Sequence, residues 1–324
     1  MPTREFLVPQ ELDGARVDKA ALALITGLSR AQVKRAIADG SIRVQSRYRA
    51  KGAVVAAGEV LSIATDTEVG ADGSAVLTPD APLAVLFESP AIVIVDKPAG
   101  QPTAPLRPGE VGTLANALVG HYPELAGIGY GPREPGLLHR LDTGTSGLVI
   151  AARSKAAFDT LAAALKSGSL VKEYTLVCTS ADLPDASVIE FPIAKHPKDQ
   201  RRVYPCIHPR DVMRYAPRPA STSYRVLRRE GPWALVLATV SRALRHQIRA
   251  HFAAIEHPLA GDALYGGPSV AGLDRHALHA SRVAFDGPER ELRFDVSSPA
   301  LAALLGILKT SVSPEASSVE GPKT

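Results

Sequence analysis

Apolar residues recur at three- and four-residue spacing in some stretches and cluster or alternate in short runs in others, which predicts a mixture of helices and strands. From Arg16 to Thr26, Val17, Ala20, Ala21 and Leu24 share one face of a helix that Gly27 closes. Ser29 then starts a second helix as its N-cap, with Gln32 three residues on, and Gly40 ends it. Its apolar face is Val33, Ala36 and Ile37. Strand-like runs follow at Ile42–Val44 and Val60–Ile63. Further on, Ala91–Val95 and Leu148–Ala152 read as buried strands. Ser154 caps a helix carrying Phe158, Leu161 and Leu165 on one side, ended by Gly168. Strands recur at 170–178, 221–227, 234–240 and 278–285, too far apart for a simple βαβ alternation, so their strand-after-strand order predicts antiparallel pairing. On the first of these, Lys172, Tyr174 and Leu176 share a face. A helix is expected from Arg245 to Ile255, with Ile248, Phe252 and Ile255 as its buried stripe and Arg245 and Arg249 one turn apart beside it.

Composition narrows this picture. The chain of 324 residues can hold one substantial core plus a small module, and 45% hydrophobic residues is ordinary for a globular protein. No apolar run is long enough to span a bilayer, and the segment from Met1 to Pro9 lacks the pattern of a signal peptide. The two cysteines, Cys178 and Cys206, form neither a disulfide framework nor a zinc spacing. A cytoplasmic protein without membrane attachment is therefore expected. The formal net charge is +4. Residues 1–64 alone carry ten Lys or Arg against six Asp or Glu, and Arg30, Lys34 and Arg35 gather on the second helix. Such a patch suits a polyanion. Between residues 65 and 83 the chain turns to small residues, Gly, Pro and unpaired acids, which predicts a flexible acidic linker. The tail at 311–324 has no apolar periodicity and is expected to be disordered.

The segment His139-Arg140-Leu141-Asp142-Thr143-Gly144-Thr145-Ser146-Gly147-Leu148 sets one carboxylate after a cation and before a run of small turn-formers. The strand that follows would hold Asp142 on a braced loop, where catalytic side chains concentrate. This segment resembles the HRLD-x-x-TSGL signature of the RluA-type RNA pseudouridine synthases. Asp96-Lys97-Pro98-Ala99-Gly100, the helix at Gly112–Leu118, Lys172-Glu173-Tyr174, His246-Gln247-Ile248-Arg249-Ala250-His251, Gly261-Asp262 and Leu264-Tyr265-Gly266 also resemble that family's motifs. The resemblance runs from about residue 84 to about residue 300. Residues 1–64 resemble the S4 RNA-binding module.

The resemblance implies an α+β fold: a catalytic domain at 84–310 with a large mixed, mainly antiparallel sheet and a central cleft, preceded by a small α/β S4-like module at 1–64. It implies an isomerase that turns uridine into pseudouridine in structured RNA, ribosomal RNA first and transfer RNA second, acting as a monomer. Asp142 is then the catalytic residue, Arg249 pairs with it, and Tyr174 offers a flat face for the uracil and a hydroxyl near the C5 proton. Stacking of that kind contributes about 1 to 3 kcal/mol per base. The target base must leave its stack, and Arg140 and His139 are candidates to fill its space or hold nearby phosphates. Arg245, His246, Lys172 and the Arg30, Lys34, Arg35 patch complete the expected RNA contacts. An isomerisation without net redox change or group transfer needs no cofactor, and neither a Gly-rich phosphate cradle nor an H-E-x-x-H zinc motif occurs. No metal is expected.

Arg242-Ala243-Leu244-Arg245 departs from the usual T-G-R-T before the HQIR segment, which bears on the choice of RNA. The basic run Ala194–Arg202 keeps the family's character and suits RNA backbone. Two rivals remain at this level. A catalytically silent RNA-binding ribosome assembly factor would need only the S4-like module. An enzyme acting on a small glycoside or nucleoside would ordinarily need two cooperating carboxylates, and only Asp142 stands in a motif.

Overall fold

The computed structural model describes residues 3–25, 30–38, 40–50, 52–64 and 74–299, together with Leu304 and Gly306. These form two compact units, residues 1–82 with 104–136 and residues 83–103 with 137–324.

In the first unit, strands β1 (Thr3–Leu7), β2 (Ile42–Val44) and β3 (Val60–Ala64) make an antiparallel sheet in the order β1-β3-β2. Helices α1 (Val17–Leu24) and α2 (Arg30–Ala38) pack beside it. Val17, Ala20 and Ala21 of α1 and Val33, Ala36 and Ile37 of α2 lie in one core with Ile42, Val44, Leu61 and Ile63, as the helical spacing required. Lys34 is exposed. The expected stop at Gly27 and cap at Ser29 lie outside the described residues, as do the side chains of Arg30 and Arg35. Strand β1 escaped the sequence reading because Thr3–Leu7 is mostly exposed and carries no buried alternation.

The same unit holds helix α3 (Leu114–His121), which opens on a capping box: the Asn116 amide donates to Thr113 Oγ1, and the Thr113 amide donates to Asn116 Oδ1. The expected acidic linker divides here. Residues 65–73 lie outside the described ones, whereas 74–82 are not a free spacer. The Thr78 amide donates to the Asn116 carbonyl, Asn116 Nδ2 donates to the Val76 carbonyl at 2.8 Å, and the Ala75 amide donates to the Pro132 carbonyl. Buried Asn116 needs those partners, which composition alone does not reveal.

The second unit is built on one large sheet: β4 (Val85–Glu88), β5 (Ile92–Lys97), β6 (Ser146–Ala152), β7 (Val171–Thr179), β8 (Ala186–Ile189), β11 (Thr222–Glu230), β12 (Trp233–Thr239), β13 (Leu278–Asp286) and β14 (Arg293–Ser297). Its order is β4-β5-β6-β13-β7-β12-β11-β8, with β14 on β13, and only the β6–β13 pair among the described strands is parallel. Strands β9 (Ile193–Lys195) and β10 (Val203–Pro205) form a separate ribbon. Helix α4 (Lys155–Ser167) starts at its Ser154 cap and ends on left-handed Gly168, as read from sequence. Helix α5 (Pro209–Tyr215) follows the ribbon, and helix α6 (Gln247–Ala254) lies after β12.

Two details place the site. Gly147 sits at φ 114° where β6 meets β13, and a Cβ there would overlap the Ala280 backbone, so the short parallel contact requires glycine. Helix α6 begins two residues later than expected, because His246 adopts a left-handed conformation at φ 53° and turns the chain into the helix. Arg245 is thereby removed from the helix face it was expected to share with Arg249. Its guanidinium donates instead to the Gln200 and Arg201 carbonyls, at 3.0 and 2.6 Å.

Candidate active site around Asp142

The loop carrying Asp142 is fixed from two sides. On one, Thr103 Oγ1 donates to the Leu141 carbonyl at 2.7 Å and receives the Leu141 amide at 3.1 Å. Lys97 is fully buried at the end of β5, and its Nζ donates to the carbonyls of Pro98 at 2.9 Å, Gln101 at 2.8 Å and Thr143 at 3.4 Å. Burial lowers its pKa to about 8, partly offset by the charge of Asp142. On the other side Thr145 Oγ1 bonds His276 Nε2 at 2.7 Å. Burial pushes His276 down to about 4, so its ring is neutral at pH 7. The Thr145 amide closes a turn on the Asp142 carbonyl. The carboxylate itself points away from these braces, its side chain 24% exposed.

Arg249 comes to it from α6. Nη1 donates to Asp142 Oδ2 at 3.0 Å, the pairing that the resemblance implied. The remaining arms of the guanidinium are taken by Asp262, whose Oδ2 and Oδ1 accept from Nε at 2.7 Å and Nη2 at 2.8 Å. Burial opposes the Arg249 charge, but the hydrogen bonds and charge of Asp262, then those of Asp142, outweigh it and raise the pKa. The Tyr265 ring lies under the guanidinium, 5.1 Å from centroid to Cζ, and the Tyr265 hydroxyl accepts the Val203 amide at 2.9 Å and bonds His246 Nδ1 at 3.0 Å. His246 Nε2 stands 3.6 Å from Asp142 Oδ1, and burial lowers the pKa of this histidine.

Asp142 opens into a cleft of about 370 Å³, part of it open to solvent, whose walls include Arg140, Tyr174, Leu244, His246, Arg249 and Leu278. Tyr174 is buried on β7, and burial together with the Asp142 charge raises its pKa, so the phenol is neutral across the physiological range. Ala243 and Leu244 of the segment that departs from the T-G-R-T pattern also line the cleft.

The sequence-predicted residues divide into groups. Asp142, Tyr174, Arg249, Arg140 and His246 meet at one cleft. Arg245 is exposed outside it. Two expected RNA contacts are corrected. Lys172 is 3% exposed, and burial takes its pKa to about 8, so it presents no open cation to a phosphate. His139 accepts the Ile150 amide on Nε2 at 3.3 Å, while its enclosed Nδ1 has no partner among the described residues. Burial, then the Lys172 charge, lowers its pKa to about 3. The spacing that places both residues near Asp142 in sequence or on the Tyr174 face says nothing of how deep they lie. Asp262, Lys97 and His276 carried no assigned role in the sequence reading, though the first two stand in motifs it noted.

The family described as RNA pseudouridylate synthase matches residues 91–254. The ribosomal large subunit pseudouridine synthase D of Nitrosomonas europaea is 34% identical over 298 residues, 88% of this chain and 81% of that protein. The protein of the same name from Vibrio parahaemolyticus is 30% identical, covering 88% of each chain. Among solved structures, human RNA pseudouridylate synthase domain containing 1 superposes with a TM-score of 0.52 at 22% identity, over 68% of this chain and 84% of that one, a likeness of fold. The silent assembly-factor alternative is not favoured by these relatives. The chain belongs to the RNA pseudouridylate synthase family and is an RNA pseudouridine synthase, an isomerase.

Proposed function

We propose that this enzyme isomerises uridines of ribosomal RNA, with Asp142 as the catalytic residue, Arg249 as its partner and Tyr174 as the stacking and proton-handling group. The observation that carries the reading is the Asp142 carboxylate, gripped on one oxygen by Arg249 and open on the other to a cleft walled by Tyr174. Ribosomal RNA is favoured over transfer RNA by the names of the relatives.

The reaction breaks the C1′–N1 bond, turns the detached uracil and joins C5 to C1′; C5 gives up its proton and N1 takes one up, so the product is an isomer of the substrate. Arg249 orients the carboxylate for the first step. Tyr174 holds the base between steps. Because its phenol is neutral, its oxygen can take the C5 proton only while passing its own onward, and Asp142 lies in the same cleft as the acceptor. Exposed Arg140 and Arg245 contact RNA beside the extruded base. Residues 1–64 act as an S4-like module through the α2 cations, including exposed Lys34. Among the described residues no helix is long and apolar enough to cross a membrane, and we place the enzyme in the cytoplasm as a monomer.

The test is pseudouridine mapping across total RNA in cells expressing the native chain or Asp142→Asn. The native chain should mark specific ribosomal uridines and the Asn variant, which keeps shape and loses charge, should mark none while still binding RNA. Marks confined to transfer RNA would overturn the substrate, and marks left by the Asn variant would overturn the catalytic assignment.

A further inference from the structure

Arginine and carboxylate ordinarily meet as a two-armed fork, and that is how a lone Arg249 would meet Asp142. Here the fork is occupied by Asp262, which is 2% exposed. Only Nη1 is left for Asp142, and it reaches only Oδ2. Among the described residues Asp142 Oδ1 receives no arginine hydrogen bond, and His246 Nε2 stands 3.6 Å from it.

Asp262 is placed for this by backbone. The Asp262 amide donates to the Leu259 carbonyl, and the amides of Tyr265 and Gly267 donate back to the Asp262 carbonyl, at 3.0 and 2.8 Å. The turn is tied to the sheet through the Ala260 amide on the Val177 carbonyl and the Ala277 amide on the Ala260 carbonyl. Gly261, at φ 72°, faces the Arg275 backbone where a Cβ would overlap it. The same turn carries Tyr265 under the guanidinium. One short segment, Gly261 to Tyr265, therefore sets both the plane and the in-plane rotation of Arg249.

We propose that Asp262 is a positioning residue that holds Arg249 in single-armed contact with Asp142, so that Asp142 keeps one oxygen uncommitted for the reaction. The inference rests on Asp142 being the catalytic residue. With Asp262 in place, the carboxylate is oriented without being capped. Without it, Arg249 swings onto both oxygens of Asp142 and blunts the group it serves.

Asp262→Asn keeps the side-chain shape but removes the charge and one of the two acceptors. The single-turnover rate at saturating RNA should fall by about a hundredfold, the loss typical of a misplaced catalytic geometry, while RNA affinity changes less than about twofold. Asp262→Glu, which keeps two acceptors, should recover part of the rate. The decisive readout is a cycle with Arg249→Ala. If Asp262 acts only through Arg249, the Arg249→Ala, Asp262→Asn double variant turns over no more slowly than Arg249→Ala alone. This comparison remains available should Asp262→Asn not fold by itself, since in the double variant the buried carboxylate left unpaired by Arg249→Ala is neutralised. A rate within about threefold of native for Asp262→Asn, a Glu variant no better than Asn, or a further loss in the double variant would each overturn the proposal. An inactive Asp142→Asn alongside a normal Asp262→Asn rejects this inference alone, whereas an active Asp142→Asn rejects the proposed function beneath it.

Discussion

Lys97→Met separates the stability of the Asp142 loop from its geometry. Methionine matches the length and apolar stem of the lysine but leaves the carbonyls of Pro98, Gln101 and Thr143 without their donor. Losing the two bonds shorter than 3 Å costs about 1 to 3 kcal/mol each in unsatisfied acceptors, so about 2 to 6 kcal/mol. Against this stands the penalty for burying the ammonium. A fall from 10.5 to about 8 corresponds to about 3 kcal/mol at about 1.4 kcal/mol per pH unit, and the substitution removes it. The difference runs from about 1 kcal/mol of stabilisation to about 3 kcal/mol of destabilisation, which urea denaturation at pH 7 should show. The loop loses its tether, and single-turnover pseudouridine formation should fall by about a hundredfold. The pH dependence gives a second reading. Between pH 8 and 10.5 the unfolded chain holds the Lys97 proton more tightly than the folded one, so native stability rises with pH through that window. Lys172, also at about 8, adds a second rise of the same sign. The Cys178 thiol, which burial pushes up to about 12, opposes that rise above about pH 9, so Lys97→Met should lower the native slope by up to about 1.4 kcal/mol per pH unit. A variant with the full native slope and the native rate would refute this account of Lys97.

Two further expectations concern the cleft and the strand beside it. Tyr174→Phe keeps the stacking ring and removes the hydroxyl, so RNA affinity should hold while product formation in single turnover drops at least tenfold; a near-native rate would show that the ring alone matters. Stability should also fall as pH drops from 6.5 toward 3, because unfolded histidine takes up a proton that folded His139 resists, with His276 adding to the slope down to about 4. In His139→Asn that acid slope should be shallower by up to about 1.4 kcal/mol per pH unit, and identical slopes in calorimetry across this range would count against the buried neutral ring.

The periodic parts of the chain declared themselves in sequence. The α4 face and its Ser154 and Gly168 ends, the strand runs about Ile92, Val149, Val177 and Val236, and the apolar faces of α1 and α2 follow from local spacing and capping chemistry that tertiary packing then respects. Asp142, Tyr174 and Arg249 were also legible, though by resemblance to a family; the residues alone left Asp142 on a turn and Arg249 on a helix surface. Local rules gave no warning of the left-handed His246 that shortens α6 and separates Arg245 from Arg249, since nothing in Arg245-His246-Gln247 marks a turn. They were equally silent on depth. Lys97 and Lys172 have side chains that composition assigns to solvent, and only the pairing of distant strands encloses them. The Asp142–Arg249–Asp262 chain joins residues more than a hundred positions apart at one end and thirteen at the other. Sequence supplies the charges for such a chain, but which arm of the guanidinium meets which carboxylate is fixed by the meeting of α6, the loop before β6 and the turn at Gly261. Hydrogen-bond geometry is a property of three-dimensional placement, and it decided which oxygen of Asp142 was left open.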